Sequence, residues 1–442
     1  MNNRLIIFFA LFVVRLSVLG QNNFVSNFFV KIDPERIVLN FDFDCELECE
    51  KGTRFRLRIS FGNGEWEDRS TEAYSQIGDR IQPGKGKKII LEHRNQISNA
   101  ESRQSCDSLV VSLLIENGPT VELKHMLEHI NVEQVRSKVF SIVGNRYYKD
   151  TEGLKNLNAT RKILSKSFGE KNFTLFRDTF NYRNRCTGQN YVAIKNGIND
   201  NRRVIIISAH YDTVYETPGA DDNASGVAAL LTLIECIASQ EFNSSIMLVA
   251  FDMEEQGLVG SAHFINEYLQ KKSMDVIGVI NLDMIGYFNS KPGSQSLPDE
   301  FKESFPQASA KVIKNRHRGD FIVLTANENS LSVQHKFEET AVTFVPDLNL
   351  IAYAVPDNGE KYPESRNSDH ATFWDNGYKA ISIGDGGDTR NRNYHQKSDT
   401  VDKLNFEQMA KVVKSVLAYI GVVAEPTGYR EFSTKAYVGI GH

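Results

Sequence analysis

Val204-Ile-Ile-Ile-Ser-Ala-His210-Tyr-Asp212 decides the reading of this chain. An unbroken apolar, β-branched run is the pattern of a strand buried on both faces, as in a parallel sheet covered by helices. Downstream, Gly219-Ala-Asp221-Asp222-Asn223-Ala-Ser-Gly226 opens an apolar helix over 226–239, and a second apolar strand follows at 246–251. The alternation continues in both directions. Strands are expected at 191–195, 276–282, 321–324, 350–354 and 380–383, and helices at 132–143, 154–168, 259–270, 331–341 and 406–422. Strand and helix in alternation imply an α/β fold, a three-layer domain with a mostly parallel central sheet. In sheets of this kind functional groups gather beyond the carboxyl ends of the strands.

Five segments at such ends carry metal-binding residue types: His210-Tyr-Asp212, Asp221-Asp222-Asn223, Asp252-Met-Glu254-Glu255, Asn281-Leu-Asp283 and Tyr394-His395. Each has a bland explanation taken alone. A histidine after a strand is more often structural. Asp221-Asp222-Asn223 suits a helix N-cap, but a cap needs one such residue. Glu254-Glu255 suits the first turn of a helix, yet adjacent carboxylates repel unless a cation lies beside them. Asp283 ends an apolar strand, where an unpaired carboxylate is costly. Asp212, two residues past His210, is placed to hold the second imidazole nitrogen. Together the segments propose two histidines and three carboxylates around a dinuclear site, with one glutamate spare as a base.

In order and spacing this set resembles the dizinc aminopeptidases, secreted exopeptidases related to glutaminyl cyclases and to the transferrin receptor ectodomain. The likeness covers about residues 130–425. It implies a zinc-peptidase domain that binds two Zn2+ and hydrolyses peptide substrates. By this resemblance Asp222 bridges the metals, His210 and Asp283 complete one, and Glu255 and His395 complete the other. Glu254 matches the general base, Asp212 the histidine-orienting carboxylate, and Tyr394 a tyrosine that steadies the reaction's oxyanion. The Asp222–Asn223 peptide matches a cis bond of the family, and Ser368-Asp369-His370 a supporting motif. Two rivals remain: a glutaminyl cyclase-like transferase with one zinc, and a non-catalytic receptor or scaffold. Cyclases depart from the Asp-Asp-Asn-Ala-Ser-Gly pattern kept here, and scaffolds lose ligands. Zinc content separates the three at two, one and none. The resemblance leaves aminopeptidase, carboxypeptidase and dipeptidase unresolved, with aminopeptidase favoured.

The first third of the chain has a different texture. Arg4 precedes an apolar run, 5–14, and a small-residue stretch to Gly20, the pattern of a cleaved signal peptide over 1–20. The run is too short to span a bilayer, so the mature chain is expected to be secreted or lumenal, with no membrane span. Asn158, Asn172 and Asn243 then become glycan acceptors, while Asn223, inside a ligand segment, is expected bare. Residues 21–128 alternate with period two and read as a small all-β, sandwich-like domain. Strands at 88–92, 109–115 and 121–126 belong to it, and a hairpin about Glu50-Lys51-Gly52 would set Asp44 opposite Arg58 and Cys45 opposite Leu57. Cys45 and Cys49, four residues apart on one strand, would lie roughly 13 Å apart, too far to bridge. They look instead to Cys106 and Cys186, leaving Cys236 a buried free thiol. The peptidase domain is bounded at 129–425, and 426–442 is given no role. A net charge of −5 offers no nucleic-acid signal. Arg316, His317 and Arg318 read as a solvated basic loop.

Overall fold

The structure, a computed structural model, describes the strands between residues 25 and 116, residues 121–424 apart from 171, 185 and 199, and the strand Glu431–Ala436. Contacts divide the chain into two units, one of them Val121–Thr427 and the other formed by the strands on either side of it.

The flanking unit contains β1 (Val25–Asp33), β2 (Arg36–Phe43), β3 (Arg54–Phe61), β4 (Glu67–Asp68), β5 (Ala73–Tyr74), β6 (Gly84–Glu92) and β7 (Leu109–Glu116). Among the described residues they form two four-stranded antiparallel sheets, β1-β2-β6-β5 and the C-terminal strand-β7-β3-β4. The expected β2–β3 hairpin is not formed, because those strands belong to different sheets. Arg58 is paired on both sides, with Ser112 of β7 and Asp68 of β4, and Asp44 lies outside the described residues. The Glu50-Lys51-Gly52 turn, Cys45, Cys49, Cys106 and residues 1–20 lie outside the described residues. Cys186 is a free thiol, not the bridge partner expected of it. Cys236 is also free, and burial pushes its thiol up to about 12.

The second unit opens with α1 (Val121–His129), where the sequence suggested a strand. Leu123, Met126, Leu127 and Ile130 are all buried, and their 3, 4, 7 spacing is helical. A period-two reading of so short a run misses this. The unit therefore starts at Val121 rather than 129. Helices α2 (Val132–Ile142) and α3 (Thr151–Phe168) follow, then β8 (Thr174–Tyr182), β9 (Cys186–Lys195), β10 (Asp200–His210), α4 (Gly226–Ile237), β11 (Ser244–Phe251), α5 (Val259–Phe264) and β12 (Asp275–Leu282). The remaining elements are α6 (Asp299–Ser304), α7 (Pro306–Lys314), β13 (Ile322–Asn327), α8 (Leu331–Phe344), β14 (Leu350–Val355), α9 (His370–Asp375), β15 (Ala380–Gly384) and α10 (Phe406–Val423). Last comes β16 (Glu431–Ala436), the C-terminal strand on β7, in a region to which the sequence assigned nothing.

The eight strands β8–β15 make one sheet, ordered β14-β13-β15-β12-β10-β11-β9-β8. Its centre, β15-β12-β10-β11, is parallel, while β13 runs antiparallel to β15, and β9 and β8 are antiparallel at the other edge. β10 is buried on both faces as its composition requires. Ile205, Ile207 and Ala209 enter the core shared with α2, α3, α4, α8 and α10, and Val204 and Ile206 enter the core shared with α5 and α9. Helices thus cover both faces, which is the three-layer arrangement expected. Among the described residues no helix is long and apolar enough to cross a membrane.

Candidate metal centre

Register brings the ligand candidates together. Ser208 pairs with Asn281 and His210 with Phe251, so the ends of β10, β11 and β12 lie level. His210, Asp283 and the Glu254-Glu255 turn therefore leave the sheet side by side. Asp222 arrives from the turn before α4, across a cis Asp222–Asn223 peptide. His395 comes from the loop after β15.

The contacts form two triads that share one residue. His210 Nε2 lies 3.2 Å from Asp222 Oδ1 and 3.3 Å from Asp283 Oδ1. His395 Nε2 lies 3.1 Å from Asp222 Oδ2 and 3.3 Å from Glu255 Oε2. A single ring nitrogen cannot serve two carboxylate oxygens with one hydrogen. A tetrahedral ion with bonds of about 2.0–2.1 Å has ligand–ligand edges of about 3.3 Å, so these spacings fit a zinc polyhedron. Glu255 Oε1 is buried with no hydrogen-bond partner, which also suits a cation. The residues present therefore fit two metal ions.

Electrostatics follow from this crowding. Burial alone would push the Asp222 carboxyl up, but the His210 and His395 rings on its two oxygens hold it well below the usual range. Burial and the neighbouring Asp222 push Glu255 up to about 7. Burial would lower His395, yet Asp222 and Glu255 raise it to about 10. Glu254 is pushed well above the ordinary glutamate value by burial, with Glu255, Asp283 and Asp369 adding to the effect against His210.

The supports are as specific as the ligands. Asp212 lies 3.6 Å from His210 Nδ1, beyond hydrogen-bond reach, and accepts the backbone N–H groups of Glu254 at 3.1 Å and Glu255 at 3.3 Å. The carboxylate expected to orient His210 thus holds the backbone of both glutamates instead. The Tyr394 ring stacks on His395 with centroids 3.8 Å apart. Burial, then the carboxylates Asp222, Asp283, Glu255 and Glu254, raise its phenol, so it remains a proton donor. Asp221 points away from the triads. Its carboxylate accepts from Gly286 N and Asn391 Nδ2, and burial followed by Asp385 keeps its pKa well above normal. Asn223 is fully buried. Its amide donates to Leu282 O and accepts from Gly226 N and Met284 N. Asp369 is buried beside the centre, where burial pushes its carboxyl up to about 7. His370 turns to Ser365 O instead. The Arg316-His317 turn is structural, its carbonyls accepting from Gly293 and Gln295.

Asp399 is the residue that the sequence reading left without a role. It is wholly buried, and its carboxylate accepts Asp221 N at 3.0 and 3.2 Å and Asp222 N at 3.1 Å. It therefore fixes the backbone of the shared ligand. Its partners are backbone amides, which leave no side-chain pattern to find.

A model described as peptidase family M28 matches residues 190–420. A protein of Pyrenophora teres f. teres named "Probable zinc metalloprotease" is 25% identical over 368 residues, which is 74% of this chain and 75% of the relative. Aminopeptidase YwaD of Bacillus subtilis is 36% identical over 101 residues, 23% of this chain and 22% of its own length. Among solved structures, LapB from Legionella pneumophila superimposes with a TM-score of 0.53 at 22% identity, covering 70% of this chain and 76% of LapB.

Proposed function

The chain belongs to peptidase family M28, and from that premise we propose a secreted, two-zinc aminopeptidase that removes N-terminal residues from peptides. The observation that carries the two-metal reading is Asp222, with one oxygen on the His210–Asp283 triad and the other on the His395–Glu255 triad. His210, Asp222 and Asp283 would hold one ion, and Asp222, Glu255 and His395 the other. Bound there, the ions would supply Lewis-acid polarisation of the scissile carbonyl and a water of lowered pKa.

The chain's own residues do the rest. Glu254, buried and raised in pKa, accepts the proton of the attacking water and delivers it to the departing amine. Asp212 keeps that glutamate in position through the backbone of the 254–255 turn. Tyr394, still a phenol, donates to the developing oxyanion. The direction of attack, from the amino end, is supported by the likeness to YwaD, a named aminopeptidase.

Secretion rests on the 1–20 segment and gives the sequons their meaning. Asn158 and Asn172 are exposed and open to glycosylation, whereas Asn223 is buried. Zinc analysis with turnover of aminoacyl-nitroanilides beside a dipeptide panel tests the function. The expected result is near two zinc per chain with release of free N-terminal residues. Glu254→Gln should keep that zinc and lose about 10²–10⁴-fold in kcat. One zinc per chain, or full activity in Glu254→Gln, overturns the reading.

A further inference from the structure

Arg146 lies before the segment matched by the family model and is a cation buried near the site, only 1% exposed. Among the described residues its guanidinium has no carboxylate partner. Every hydrogen bond it makes goes to a backbone carbonyl. Nε donates to Tyr211 O at 2.7 Å and Nη2 to Gly219 O at 3.0 Å. Nη1 donates to Ile142 O at 3.0 Å, Gly144 O at 2.8 Å and Pro218 O at 3.2 Å. Its own backbone N–H reaches Thr213 Oγ1 at 2.8 Å.

The acceptors show what is being held. Tyr211 follows His210 directly, and Pro218-Gly219 stands just before Asp222. One planar guanidinium therefore closes the loop that joins two ligands of the same ion, gripping it at both ends. Gly144 N, donating to Pro218 O at 2.8 Å, ties the same loop to the end of α2. Gly219 is enclosed by this contact and its neighbours, since it has φ of 61° and an added Cβ would lie 2.4 Å from Thr213 Cγ2, 2.5 Å from Asp222 O and 2.8 Å from Arg146 Nη2. Burial lowers the guanidinium to about 10, opposed by the carboxylates Asp222, Asp399, Asp212 and Glu255. The cation thus has the carboxylates in and around the candidate metal centre as its counter-charge.

We propose that Arg146 is a positioning residue that sets the separation of His210 and Asp222 and so pre-forms the zinc site before metal arrives. This rests on the two-zinc reading above. A lysine in its place keeps the charge but has one ammonium, which cannot span acceptors at both ends of the loop. The test uses the full chain stripped of metal. Zinc affinity is measured by competition with a chromophoric chelator, and Co2+ is added to read the ligand field from its visible spectrum. Arg146→Lys and Arg146→Ala should each weaken zinc by roughly 10–100-fold, the usual range for groups that orient metal ligands. Both should also alter the Co2+ spectrum. Addition of guanidinium ion to Arg146→Ala should restore part of the affinity. A purely structural role would lower the melting temperature of the metal-free variants and leave zinc affinity and spectrum as in wild type. That outcome in either folded variant overturns the proposal. Failure of the wild-type chain to bind zinc overturns the two-zinc reading instead.

Discussion

Replacement of Asp399 tests how far the shared ligand depends on a residue that touches no metal. Its carboxylate receives two buried backbone donors, Asp221 N and Asp222 N, at 3.0–3.2 Å. Hydrogen bonds to a charged group contribute about 1.5–3 kcal/mol each, and unpaired buried donors cost about as much. Asp399→Ala therefore stands to lose about 3–6 kcal/mol. The carboxyl is pushed up to about 7, first by burial and then by Asp221. The fold thus already opposes its charge at neutral pH, which places the loss near the lower figure, about 3 kcal/mol. Asp399→Asn keeps one acceptor oxygen and should lose about half of that. Guanidinium chloride unfolding of the metal-free proteins at pH 7 measures both, with zinc content as a second reading. Asp399→Ala should unfold at a clearly lower midpoint with an unchanged slope and retain fewer than two zinc. A loss below about 1 kcal/mol would mean that these amides have other acceptors and that the assigned support is wrong.

Gly226→Ala should fail for a steric reason. An added Cβ would meet Asn223 Oδ1 at 2.4 Å and Leu282 O at 2.8 Å, so about 1–3 kcal/mol should be lost in thermal unfolding. In the metal-free protein His395 is raised from 6.5 to about 10 by Asp222 and Glu255. A group raised on folding stabilises fully below its unfolded value and loses that effect as pH rises through its folded one. Stability of the metal-free protein should accordingly fall between about pH 6.5 and 10, and apparent zinc affinity should rise across the same window as the competing proton leaves. Zinc titrations that stay flat over that range would exclude a protonated His395. Glycan mapping of secreted material should find sugar on Asn158 or Asn172 and never on Asn223, whose amide is consumed by three backbone groups.

Among the candidate ligands, His210, Glu255 and Asp283 were legible because each follows a strand whose composition announces it, whereas Asp222 lies in a turn and His395 in a loop, and both were named through the resemblance. Val204–Ile207 can only be a central strand, and His210 follows it. The same holds for Phe251 before Glu254-Glu255 and Leu282 before Asp283. Once neighbouring strands are parallel and in register, their ends must converge. Sequence reading failed where composition is mixed. β8 alternates buried and exposed positions irregularly and was missed, α6, α7 and α9 are short, and α1 was read with the wrong period. The hairpin failed for a different reason. Charge pairing on an alternating strand fits many partners, and β3 took β7 and β4 rather than β2.

Two supports of the centre were illegible for a reason that extends beyond this chain. Arg146 and Asp399 act on backbone atoms, which every residue possesses, so no side chain elsewhere in the sequence marks them, whereas Asp212 was marked by its place two residues after His210. Asp399 is separated from the peptide it grips by most of the catalytic domain. Arg146 reaches its loop from before the first strand of the sheet. A ligand must have a particular chemistry, and that chemistry can be read from its letter. A group that positions a ligand needs only charge, reach and burial, and burial is a property of the folded chain. This explains why candidate ligands could be named from the sequence while Arg146 and Asp399, which hold their backbone, required coordinates. It also implies that the supports are the better test of the site: substitution of a ligand removes metal under almost any reading, whereas Arg146 or Asp399 should disturb metal binding only if the geometry described here is the one that binds it.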